Sequence, residues 1–113
     1  MTINNLQTLN GNSNLSYYLI MMWENVLHIE DVKDKYDIAY LPKGLNNTYL
    51  ANFYGLLKNQ FNIPIQYWYP NLRLNGLNNS VDYNGFDEIK IFKSEVLETY
   101  YDLIVKDMNL NNK

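Results

Sequence analysis

Ile63-Pro64-Ile65-Gln66-Tyr67-Trp68-Tyr69-Pro70 is the stretch whose reading decides the fold. Proline has no amide N–H to donate, so Pro64 and Pro70 limit any strand to the residues between them. Side chains alternate along such a strand, which puts Tyr67 and Tyr69 on one face and Trp68 on the other. Both faces then need cover, from this chain or from another. Between Gly44 and Val81 the only charged residues are Lys58 and Arg73. Charge depletion with aromatic enrichment marks the core of an interface, and it equally marks a plain hydrophobic core. A domain this small has limited interior, so Tyr67, Trp68 and Tyr69 are the candidate partner-binding residues.

Downstream lie two Asn-Gly pairs, Asn75-Gly76 and Asn84-Gly85. Asn-Gly favours the positive φ angles of a tight hairpin turn. Between them Leu77, Val81 and Tyr83 alternate with Asn78, Ser80 and Asp82, and beyond them Ile89 and Ile91 alternate with Glu88 and Lys90. The pattern predicts a three-stranded antiparallel meander over residues 65–74, 77–83 and 86–92. Pro70 sits awkwardly in its first strand and implies an edge position or a break.

Helical periodicity surrounds this segment. From Ser13 or Ser16 to Ile29, the residues Leu15, Tyr18, Leu19, Met22, Val26 and Ile29 form one stripe, widened by Trp23 and Leu27. Residues 30–36 read as a turn or a short helix, and Tyr40-Leu41-Pro42-Lys43-Gly44 as a loop. A further helix is predicted over 47–61, where Gly55 suggests a close contact. The last helix is the plainest. Ser94 caps it, Glu95 and Glu98 suit its positive start, and Val96, Leu97, Tyr100, Tyr101, Ile104, Val105 and Met108 form its stripe. The expected fold is therefore α+β, with three or four helices covering a small antiparallel three-stranded β-meander. The expected organisation is an uncharged, Asn-rich arm over 1–14 followed by one domain over 15–110.

Composition narrows the function. The 113 residues carry a net charge of −3, with acids grouped in 24–37 and 82–113. The mild acidity and the single arginine leave no basic patch for phosphates, so no nucleic-acid partner is expected. No signal segment is apparent and the run Leu15–Trp23 is too short to span a bilayer, so no membrane partner is expected either. Asn, Tyr, Lys, Ile and Phe have AT-rich codons, and their abundance points to a low-GC genome.

No residue set suggests catalysis. With no cysteine there is no disulfide, thiolate nucleophile or zinc–thiolate site. The single histidine, His28, can pair with Glu24 one turn earlier, but it suits the negative end of a helix better. Ser80, Asp82, Asn84 and Gly85 mimic the start of a calcium loop, yet its twelfth position is Ile91 where a bidentate glutamate is needed. The expectation is thus no enzyme, no cofactor and no metal. What remains is a protein–protein interaction or assembly subunit, self-associating or binding other proteins. A phage or virus particle (head, neck or tail) or its host's cytoplasm is its most economical home. A small monomeric inhibitor docking on a host enzyme is the alternative.

Overall fold

A computed structural model describes residues 13–29 and 31–111. Among these, the chain forms five α-helices and a two-stranded antiparallel sheet, an α+β arrangement. The elements are α1 (Ser13–Ile29), β1 (Tyr36–Tyr40), α2 (Leu45–Thr48), α3 (Phe53–Phe61), α4 (Trp68–Leu74), β2 (Glu88–Phe92) and α5 (Ser94–Asn111). Positions 1–12 of the expected arm lie outside the described residues, while Ser13 and Asn14 already belong to α1. Two compact units divide the chain: Val32–Glu98 is one, and the other holds α1 with the part of α5 from Thr99 onward.

In the α1 unit, the helical periodicity reads through to structure. Trp23 is fully buried and stacks on Tyr101, with ring centroids 6.4 Å apart and planes 22° from parallel. Tyr100 and Ile104 are buried while Asp102 and Lys106 are exposed, so this part of the apolar stripe of α5 faces inward as expected. Ile29, which the stripe would have placed inside, is the last residue of α1 and is exposed.

In the Val32–Glu98 unit, the three-stranded meander is replaced by other structure over most of its length. Residues 65–74 are helical: a 3-10 turn over Ile65–Tyr67 leads into α4. Pro70 permits this because it occupies the first turn of α4, where a backbone N–H has no intrahelical acceptor to lose. Asn75-Gly76 then ends the helix instead of turning a hairpin. Gly76 takes φ +78°, its N–H bonds Arg73 O at 2.9 Å, and the Leu77 N–H reaches back to Leu72 O at 3.2 Å. Those two bonds are a Schellman cap, which needs the same positive φ as a hairpin. Leu72 and Leu77 are both core residues, which supplies the apolar contact such caps favour.

Residues 77–83 form a loop with a 3-10 turn at Ser80–Asp82. Ser80 is recruited elsewhere: its hydroxyl accepts the Tyr54 N–H at 2.9 Å, satisfying a donor in the first turn of α3. Gly85 has φ +96° in the loop that leads into β2. Only the third expected strand survives, as β2, and its partner is β1. That strand runs between the expected turn or short helix over 30–36 and the expected loop over 40–44, through residues 37–39 that the sequence pattern left unassigned.

The helix expected over 47–61 is broken. Ala51 takes φ +61°, and Asn52 caps α3 by accepting the Gly55 N–H at 3.0 Å. Gly55 therefore marks a local contact, because a Cβ there would collide with the Asn52 amide itself. Leu41, Tyr49, Phe53, Leu56, Leu57, Leu72, Leu77, Tyr83 and Ile89 make the core of this unit. Phe53, Tyr83 and Phe86 form a ring cluster within it, Tyr83 meeting Phe86 edge-on at 4.8 Å. Each such pair adds about 0.5–1.5 kcal/mol beyond area burial.

Candidate functional site

The two strands pair with Tyr36 opposite Phe92, Ile38 opposite Lys90 and Tyr40 opposite Glu88. Hydrogen bonding alternates along an antiparallel pair, so each strand turns every second residue's N–H and C=O outward. On β2 the outward groups at Lys90 and Phe92 face α4, and two asparagines one helical turn apart meet them. The Asn75 amide accepts the Lys90 N–H at 2.8 Å and donates to Lys90 O at 2.8 Å. Asn71, fully buried, accepts the Phe92 N–H at 2.8 Å and donates to Tyr67 O at 3.0 Å. A helix thus supplies the bonds that a third strand would have made.

The outer edge of β1 is different. Leu41 N–H bonds Asp87 O and Lys93 N–H bonds Lys35 O, so the odd-numbered residues face β2. The N–H and C=O groups of Tyr36, Ile38 and Tyr40 point the other way and meet no partner among the described residues. Their side chains share one face of the sheet. Ile38 is 46% exposed and Tyr40 69% exposed, while Tyr36 lies 5.5 Å from the Lys90 ammonium across the pair. No lysine, proline or bulge interrupts Tyr36–Tyr40, although those are the usual devices that protect an edge.

Asp37 and Ala39, on the opposite face of β1, line an open cleft of about 450 Å³. Its other walls include Phe61 at the end of α3, Ile63 just after it, Ile91 of β2 and Leu97 of α5, with Lys93 and Glu98 as charged lining residues. Tyr67 lines this cleft too.

No family model, curated protein or solved structure matches the chain.

Of the three aromatic residues singled out in the sequence, Tyr67 alone lines the cleft. The indole of Trp68 donates to Ile63 O at 2.7 Å and its ring lies 5.2 Å from that of Tyr54. Trp68 and Tyr69 both pack against the core. Burial pushes the Tyr54 hydroxyl up to about 12, with the neighbouring Tyr69 adding to the shift. Tyr83 is raised as well, by burial first and the Asp87 carboxylate second, and its hydroxyl donates to Phe86 O at 2.5 Å. His28 is exposed on the last turn of α1. The Asp82 carboxylate accepts the Asn79 N–H at 3.0 Å and so closes a capping box. Among the described residues no group of three or more His, Asp or Glu is placed to hold a metal ion, and no helix is long and apolar enough to cross a membrane.

Sequence reasoning missed the four residues that shape this site: Asn71 and Asn75 at one edge, Ile38 and Tyr40 at the other. Signals for both existed. Asn71 and Asn75 have i,i+4 spacing, and Tyr36-Asp37-Ile38-Ala39-Tyr40 keeps its large apolar residues at every second position.

Proposed function

We propose that this chain is a non-enzymatic interaction subunit that joins an assembly through the outer edge of β1. One observation carries the reading: three successive outward-facing residues of β1 present backbone groups with no partner among the described residues, beside exposed apolar side chains. Adding a strand satisfies those groups and covers Ile38 and Tyr40 together. Tyr67 belongs to the same site, since it lines the cleft that begins at Asp37 and Ala39. Trp68 and Tyr69 act by packing, holding α4 and hence Tyr67 in place. On composition, the home we propose is a phage or virus particle, or the cytoplasm of its host.

The test is Tyr40→Lys in the natural assembly. A charged edge repels an added strand, so the variant should stay folded by circular dichroism yet be lost from the high-mass fraction in which the native chain sediments. Equal incorporation of Tyr40→Lys and native chain would refute the use of this edge.

A further inference from the structure

We infer that the partner of this edge is a second copy of the chain, paired antiparallel about Ile38 so that two sheets become one of four strands. The inference rests on the interaction reading above and names its partner.

The register follows from β1 itself. With the two-fold axis at Ile38, that residue opposes its own copy, Tyr36 opposes Tyr40 of the second copy, and Tyr40 opposes Tyr36. All three are the residues whose N–H and C=O point outward, so each opposed pair can exchange both N–H···O bonds. On one face the opposed side chains are aromatic with aromatic and isoleucine with isoleucine, the pairings that favour a sheet. On the other face Asp37 opposes Ala39, and no charge meets its like.

Neighbouring registers fail. Antiparallel pairing keeps outward groups opposed only if the strand slips by two residues at a time. A slip in one direction sets Asp37 directly against its own copy, a like-charge pair that disfavours pairing. The opposite slip sets Tyr36 against Pro42, which has no N–H to give. Charge and backbone chemistry thus leave one symmetric arrangement. It is isologous, so it closes at two copies and does not run on into a filament.

The chain has no cysteine, so single thiols can report the register. A hydrogen-bonded antiparallel pair holds its Cα atoms about 5.5 Å apart, within disulfide reach. Ile38→Cys should therefore form an intermolecular disulfide under mild oxidation. Asp37→Cys alone should not, but should cross-link when mixed with Ala39→Cys. Asn59→Cys, on the exposed side of α3, is the control. Sedimentation equilibrium of the purified chain should show a monomer–dimer equilibrium, and Ile38→Lys, which opposes two ammonium groups, should raise its dissociation constant at least about tenfold. A dimer that tolerates Ile38→Lys would overturn the proposal, as would Ile38→Cys cross-linking no faster than Asn59→Cys. If the purified chain stays monomeric while Tyr40→Lys still drops out of the natural assembly, the occupant is a strand of another protein: the second-copy inference fails and the interaction reading stands.

Discussion

The two outer edges of the sheet meet the same physical demand in opposite ways. On β2 the Lys90 N–H and C=O and the Phe92 N–H are sealed by two asparagine side chains, Asn75 at the C-cap of α4 and Asn71 within it. On β1 the equivalent groups at Tyr36, Ile38 and Tyr40 are bare among the described residues. A buried backbone polar group left unpaired costs about 1–3 kcal/mol, so an edge facing the core must be sealed from within. An edge facing solvent carries no such penalty, because water satisfies it until another strand arrives. The difference teaches that α4 substitutes for a strand on one edge, while the other edge keeps its outward backbone groups without a protein partner among the described residues.

The largest effect expected from this contrast is at Asn71. Asn71→Leu strands the Phe92 N–H in the interior and removes the donor to Tyr67 O, so denaturant unfolding should show a loss of about 3 kcal/mol or more. A smaller loss, about 2 kcal/mol, is expected for Asn75→Leu, whose site is only half-buried and where water can reach the Lys90 groups. Alkaline unfolding sharpens the comparison further. The Tyr54 hydroxyl is raised from 10.0 to about 12, so the folded state holds its proton more tightly than the unfolded state. Its contribution is complete below pH 10 and is lost as pH rises towards 12. Tyr54 supports the Trp68 end of α4, so melting temperature should fall over that window, and Tyr54→Phe should reduce the fall. The smallest effect belongs to the open edge. Ile38→Lys should change monomer stability by no more than about 0.5 kcal/mol, measured by thermal unfolding at high dilution. Should Ile38→Lys cost as much as Asn71→Leu, the bare edge is part of the core and the contrast collapses.

Legibility divided along the same line as local and non-local bonding. The periodicities of α1 and α5 were plain in the residues, because a helix completes its hydrogen bonds four residues away within its own sequence. The cap of α5 was not: the helix begins on Ser94 itself and the carbonyl of Lys93 accepts its first N–H groups, so Ser94 is not the cap the sequence suggests. The α+β class followed from the same patterns. A strand offers no such closure. Glu88–Phe92 was readable as a strand, but its partner Tyr36–Tyr40 lies far back in the chain, and only the folded backbone brings the two together. Tyr67 was singled out from composition and does line the cleft, whereas Ile38 and Tyr40 acquire their meaning only from being on an edge.

The sequence by itself placed positive φ at Gly76 and Gly85 and a proline constraint at Pro70, though not the positive φ of Ala51, and the tertiary structure decided what each was used for. Gly76 requires a left-handed backbone in a hairpin and in a Schellman cap alike, and Pro70 fits a strand edge or the first turn of a helix. Each signal is satisfied within a few residues and so leaves two conformations open. In the folded structure 68–74 is helical, and from it the amides of Asn71 and Asn75 reach β2. That reach is a bond between distant segments, and the i,i+4 spacing of the two asparagines is compatible with it without naming β2 as the partner.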